Sequence, residues 1–341
     1  MRNRCLSLAA IGAALLTFGG CGAGSGDDAA GTTGAAAGPD VVFIPKVVNV
    51  DYFDTAAAGA REAAAELGGR FEMVGPSDAT AASQVPFINT QAQKHAGVIA
   101  ISGNDANAVA PALKQAAAAG SKVMSWDSDV APDARSVYVA DITAEAEAQN
   151  QLDMLGEQMD YRGEFAILSS SPTATAQNEW IAAMKELLRT PRYSGMKLVK
   201  IAYGEENDQK TLQEAQGLLR AYPNLRGITG IFSIAPMAIA RAVERADKVG
   251  DVAVTGVALP SALASYLKRG TIERASLWDV TDLGYLTYYA AAALARGDIT
   301  GRAGETFRAG RMGEREVGED GQIVLGPPLV LTKDNVGDYD F

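Results

Sequence analysis

The chain has 341 residues, with 30 Lys and Arg against 41 Asp and Glu, and a formal net charge of −11. A body of that sign repels nucleic acid and anionic headgroups, so neither is an expected partner. Its two cysteines, Cys5 and Cys21, both lie near the start, and His95 is its one histidine. The body therefore lacks the ingredients of a zinc site or of Ser/Cys–His catalysis, and no metal or cofactor is expected.

Arg2 and Arg4 precede an apolar run from Leu6 to Phe18 that is too short to span a bilayer, and Gly19-Gly20 then meets Cys21. This arrangement resembles a bacterial lipoprotein signal. Residues 1–20 are expected to be removed, leaving Cys21 as the lipid-bearing first residue of a chain with 28 basic and 41 acidic residues, net −13. Residues 21–40 are mostly Gly, Ala, Ser, Thr and Asp without an apolar period and read as a flexible tether. The expected location is the extracytoplasmic face of the cell membrane, held by lipid alone. Without disulfides, the body of about 300 residues must be held by burial, which a chain of that size achieves.

From residue 41 short apolar runs alternate with alanine-rich helical stretches. A strand over 41–50 leads to a helix over 55–67 and a strand over 71–74. Helix 83–94 leads to strand 97–101, and helix 107–119 to strand 122–126. His95 falls at a helix end, where a cation suits the dipole. The rhythm restarts after Asp141 with helix 144–159, strand 164–168, helix 177–188, strand 198–202 and helix 209–222. Strand 227–232, helix 236–248, strand 252–257, a short helix near 261–267 and strand 275–278 follow. Strands of this length separated by helices of ten to fifteen residues indicate βαβ units and parallel sheets. The fold class is α/β, as two successive doubly wound units. Helix 283–295, closed by Gly297, has no strand of its own unit left to cover and is expected to return to the first lobe. The expected lobes are 41–141 with 280–302, and 142–279 with 303–341.

In open α/β sheets, ligands meet the carboxyl ends of the strands. Tyr52-Phe53 follows the first strand, Trp126-Asp127-Ser128-Asp129 the fourth, and Ser169-Ser170-Ser171 the first of the second lobe, shortly before Gln177. Phe232-Ser233 and Trp278-Asp279 end later ones. Carboxylates accept from vicinal hydroxyls, amides donate and accept, and rings cover C–H faces, so these clusters suit a polyhydroxylated ligand. Each aspartate is equally readable as a helix N-cap, and each tryptophan is more readily core than ligand platform; recurrence in both halves shifts the balance toward the ligand. Glycine-rich phosphate loops are missing, and no nucleophile accompanies Asp127 and Asp129, so an enzyme is not expected.

The ordered set of motifs is more specific than any one of them. Phe43-Ile44-Pro45-Lys46, Trp126-Asp127-Ser128-Asp129, Ser170-Ser171-Pro172-Thr173, Gln177-Asn178 before Trp180, Ala221-Tyr222-Pro223, Leu277-Trp278-Asp279 and the ending from Lys333-Asp334-Asn335 to Tyr339-Asp340-Phe341 stand in order. With them the body resembles the periplasmic sugar-binding proteins of ABC importers. The likeness is to the ribose-binding-like group and its rhamnose-binding and autoinducer-2-binding branch. The resemblance implies the type I periplasmic binding protein fold: two Rossmann-like lobes joined by three crossovers and closing on a ligand. It implies a monomer that hands a small neutral sugar or autoinducer-2 to an ABC permease. Lys46, Asp127 and Gln177 fall on ligand-contacting positions of the autoinducer-2-binding branch, Phe53 on a cleft wall, and Ile231 and Ser233 where that branch uses the third loop. With the strand-end residues Asp129, Trp278 and Asp279, these form the candidate site. The chain departs from autoinducer-2 binders at Ala176, where they carry aspartate, and at Ile231, where they carry proline. Loss of that carboxylate favours a deoxyhexose such as rhamnose, whose methyl an alanine tolerates. A sensory protein that presents its ligand to a membrane receptor is the remaining alternative.

Overall fold

The computed structural model describes residues 38–341. The signal segment 1–20, Cys21 and all but the last three residues of the expected tether lie outside the described residues. Asp40, expected in the tether, instead opens the first strand.

The elements run β1 (Asp40–Ile44), α1 (Asp51–Glu66), β2 (Arg70–Met73), α2 (Ala81–Gln93), β3 (Val98–Ile101), α3 (Ala110–Ala118), β4 (Lys122–Trp126) and β5 (Tyr138–Ala140). There follow α4 (Ala144–Met159), β6 (Arg162–Ser169), α5 (Thr175–Leu187), β7 (Gly195–Tyr203), α6 (Asp208–Ala221), β8 (Leu225–Gly230), α7 (Ala235–Arg245) and β9 (Ala253–Gly256). The chain ends with α8 (Pro260–Lys268), β10 (Ala275–Leu277), α9 (Val280–Arg296), β11 (Thr306–Arg308), β12 (Glu314–Glu316), β13 (Gln322–Val324) and β14 (Leu329–Leu331).

Two parallel sheets result. The first has the order β13-β5-β4-β3-β1-β2, the second β7-β6-β8-β9. β10 pairs antiparallel with β14 and bridges to the chain just after β9 through Val257 and Ser276. Val98–Ile101 is buried along its whole length, as a strand covered on both faces requires. β1 stops at Ile44 because Pro45 has no N–H to give the ladder. The expected strand 41–50 is thus half as long, and α1 starts at Asp51 with Asp51 and Asp54 in its first turn, where carboxylates suit the dipole. Tyr52 and Phe53 are therefore set on a rigid helical turn.

The chain passes between the sheets three times: after β5, between β10 and α9, and between β13 and β14. α9 lies against α1 so closely that a Cβ on Gly284 would stand 1.7 Å from the Ala56 carbonyl oxygen. Gly59 of α1 continues this small-residue seam, since a Cβ there would stand 1.9 Å from the Thr281 carbonyl oxygen of α9. The expected assignment of 303–341 to the second lobe needs correction. β13 adds to the open edge of β5, with Ile323 opposite Val139, so residues 322–324 belong to the first sheet, while β11 and β12 pair with each other. Gly326-Pro327-Pro328 ends β13, and from β14 onward the chain joins the second half, where the Ser261 N–H of α8 donates to the Phe341 carbonyl at 3.3 Å.

Candidate functional site

Lys46 follows Pro45 at the carboxyl end of β1. Its loop is pinned by Gln84, which donates to the Pro45 carbonyl at 3.0 Å, and Asn104, which donates to the Lys46 carbonyl at 2.9 Å. The ammonium is buried. It stands 3.8 Å from Asp127 Oδ2 and donates to Gln177 Oε1 at 3.3 Å. Asp127 and Gln177 come from different halves: one ends β4, the other sits in the first turn of α5.

Asp127 holds φ 59°, a left-handed conformation open to few residue types other than glycine, Asn and Asp. It is fixed there by its own N–H donating to the Val139 carbonyl at 3.1 Å and by Tyr138 Oη donating to its carbonyl at 3.1 Å. The carboxylate accepts from Tyr52 Oη at 2.8 Å and from Ser102 Oγ. Trp278 Nε1 in turn donates to Tyr52 Oη at 3.0 Å, so a relay of donors runs from the crossover before α9 to the carboxylate. Burial, reinforced by the Asp127 charge, pushes the Tyr52 hydroxyl well above its ordinary value and keeps it a donor.

Around this centre lies a cleft whose empty space, counted out into the open solvent at its mouth, is about 390 Å³. The first half supplies Lys46, Tyr52, Phe53 and Asp127. The second supplies Gln177, Trp180, Glu206, Ile231, Phe232 and Ser233, with Val257, Leu277 and Trp278 beside the crossover. Trp278 meets Tyr52 and Trp180 edge to face at centroid distances of 6.3 and 6.0 Å, and Phe53 meets Trp126 likewise at 5.9 Å. Such an aromatic box around a few fixed polar groups is the composition of a small-molecule site. Glu206 stands in the loop between β7 and α6. Burial pushes its carboxyl up to about 7, with Asp127 raising it further and Lys46 opposing.

Of the residues the sequence put forward, Lys46, Phe53, Asp127, Gln177, Ser233 and Trp278 line one cavity. Asp129 and Asp279 do not. Asp129 is clamped by Arg135, whose Nε and Nη2 each donate to its carboxylate at 2.6 Å, and by Ser125 and the Val130 N–H. Asp279 is the N-cap of α9, accepting from the Asp282 N–H at 2.8 Å. His95 is exposed at the end of α2, away from the cavity. Sequence reasoning missed Glu206, although Tyr203 ends the parallel strand before it and Glu205-Glu206-Asn207 follows, the same kind of aromatic and polar strand end as the others. Tyr52 and Trp180 were visible only as parts of larger clusters. Among the described residues there is no group of His, Cys, Asp and Glu fit to hold a metal ion, and no helix is long and apolar enough to cross a membrane.

Residues 41–299 match the periplasmic binding protein domain. The chain is similar to the solved structure of a sugar ABC transporter protein from Actinomyces odontolyticus, with 40% identity and a TM-score of 0.72 over 89% of this chain and 98% of that one. It is similar to an ABC transporter solute-binding protein from Clostridium phytofermentas with bound L-rhamnose: 30% identity and TM-score 0.84, covering 88% and 97%. It is also similar to LsrB from Clostridium saccharobutylicum in complex with AI-2: 29% identity and TM-score 0.83, covering 88% and 99%. The two-sheet α/β architecture described above is the type I periplasmic binding protein fold of these neighbours.

Proposed function

The chain belongs to the periplasmic binding protein family, a family of solute-binding proteins rather than enzymes, and on that premise we propose that it captures a neutral sugar for an ABC permease. The favoured sugar is a rhamnose-like deoxyhexose. The observation that carries this reading is the meeting of Lys46, Asp127 and Gln177, contributed by both halves, inside one aromatic-walled cavity.

A ligand that touches both halves stabilises the closed arrangement, whereas one gripping a single half shifts nothing. Here Lys46 and Gln177 bond one another directly across the interface. Sugar hydroxyls entering between them replace that bond with two, one to each half. Asp127, already oriented by Tyr52 and Ser102, accepts from further hydroxyls, and Trp180 and Trp278 cover the C–H faces. Ala176 is buried, its N–H donating to Ser128 Oγ at 3.4 Å, so α5 offers no carboxylate at that position. This, with the L-rhamnose in the Clostridium phytofermentas neighbour, supports a deoxysugar. The AI-2 in the Clostridium saccharobutylicum neighbour supports a second reading, capture of that signal for uptake. On either reading the protein works outside the cytoplasm as a monomer, anchored through Cys21.

Isothermal titration with L-rhamnose, D-ribose, D-arabinose, D-fucose and AI-2 tests the proposal. Heat with L-rhamnose at the lowest concentration is the expected result; heat with none of the five overturns it. A Cys21→Ala chain released from the membrane fraction supports the anchor, and one that stays there refutes it.

A further inference from the structure

We propose that Glu206 is a specificity-determining residue of the cleft, a carboxylic acid that enters the closed site protonated and donates a hydrogen bond to an oxygen of a neutral ligand. This rests on the reading that the cleft closes on a neutral sugar.

The loop that carries it is built rather than loose. Gly204 N–H donates to the Ser169 carbonyl at 2.9 Å and Glu205 N–H to the Ser170 carbonyl at 2.7 Å, tying the loop to the end of β6. Asn207 caps α6 by accepting from the Lys210 N–H at 2.9 Å. Between these anchors Glu205 and Glu206 both hold left-handed φ, at 54° and 51°, a conformation that residues bearing a Cβ avoid. The two carboxyls then part company. Glu205 pairs outward with Lys210 at 2.6 Å, while Glu206 lines the cavity. Among the described residues, no hydrogen bond or ion pair holds the Glu206 carboxyl.

The charged groups around it decide its state. Across the cavity stand Lys46, after β1, and Asp127, after β4. Lys46 is already committed to Asp127 and Gln177. On the other side Asp51 of α1 and Asp208 of α6 share an adjoining cavity with Glu206, and Asp208 is paired with Arg241. An ionised Glu206 thus leaves one uncompensated negative charge in a site lined by aromatic rings. Burial and Asp127 already hold the carboxyl up at about 7 against the pull of Lys46. Closure over an uncharged ligand expels water and supplies no new cation, so the proton stays. A protonated carboxyl is one of the few donors facing the cavity beside Lys46 and Gln177, and suits a ring or anomeric oxygen that has no hydrogen of its own. It also returns to the site, from a neighbouring loop, the carboxyl that Ala176 does not provide.

Titrations of the full chain with L-rhamnose at about pH 6 and about pH 8 test this. With the free carboxyl ionising at about 7 and the bound one held protonated, Kd should rise about tenfold between the two values. Wild-type binding near pH 8 should take up close to one proton, read from the dependence of heat on buffer ionisation enthalpy. Glu206→Gln keeps the donor and cannot ionise: its Kd should match wild type near pH 6 and stay flat to pH 8, with no proton uptake. Glu147 of α4 is also pushed up to about 7 by burial but lies outside the cavity, so a slope that survives Glu206→Gln assigns the proton elsewhere and overturns the inference. A wild-type Kd equal at both pH values, without proton uptake, overturns it through the unmodified protein alone. Failure of L-rhamnose and every sugar to bind at either pH removes the functional reading as well.

Discussion

Replacing Asp127 by asparagine removes one charge while keeping the size of the side chain. The carboxylate now serves three neighbours: Tyr52 Oη, Ser102 Oγ and the Lys46 ammonium 3.8 Å away. Asparagine keeps one acceptor oxygen and turns the other position into a donor, so one hydroxyl must reverse and Lys46 loses its counterion. The Lys46 and Asp127 side chains are only 6% and 11% exposed. Removing one partner of a buried ion pair costs about 3–5 kcal/mol. Lys46 retains Gln177, and Glu206 can ionise toward it, so the low end, about 3 kcal/mol, applies to folding, a fall in Tm of roughly 5 °C for a domain this large. Binding loses a charge-assisted hydrogen bond, worth about 1.5–3 kcal/mol, or roughly 10- to 150-fold in Kd. The assay is calorimetric titration with L-rhamnose beside a thermal melt. The double variant Lys46→Met/Asp127→Asn should regain part of the Tm without regaining affinity, because it removes the stranded charge but not the lost grip. An Asp127→Asn protein that binds L-rhamnose within twofold of wild type refutes the reasoning.

Three further outcomes follow from the same geometry. Gln177→Ala removes the partner of Lys46 from the second half and should weaken L-rhamnose by about two- to tenfold with little change in Tm, the scale of one neutral hydrogen bond; an unchanged Kd in the same titration places the amide outside the grip. Glu147 is fully buried, accepts from Gln151 Nε2 at 2.7 Å and ionises at about 7 instead of its ordinary 4.5. A carboxyl raised in this way contributes stability that is complete in acid and lost as pH climbs from about 4.5 to 7, on the order of 3 kcal/mol. Melts between pH 5 and 7 should therefore show a shallower decline for Glu147→Gln, and an identical slope contradicts the assignment. Gly284→Ala forces α9 away from α1 and should lower Tm by several degrees, while Gly217→Ala, whose Cβ meets nothing within 4 Å, should raise it slightly; equal melts for the two deny the close seam.

The chemistry of single segments was legible in the chain, and the pairing of distant ones was not. Val41 to Ile44 and Val98 to Ile101 announce buried parallel strands by composition alone. β5 has three residues, too few for any pattern, and β13 joins it across some 180 positions, a partnership set by an open sheet edge. Asp127 and Asp129 look alike in sequence, two residues apart in one loop. Arg135 claims one, and the left-handed backbone at the other aims it into the cavity. Asp279 resolved to the helix-capping role that had stood beside the ligand role from the start. Glu206 acquires its importance from what burial brings opposite it, which neither spacing nor composition records.

A crystal structure of the protein grown with L-rhamnose tests the central claim most directly. The account predicts one sugar between the halves, its hydroxyls within hydrogen-bond distance of Asp127, Lys46 and Gln177 and a C–H face against Trp180 or Trp278. A sugar seated elsewhere, or touching side chains of only one half, contradicts it.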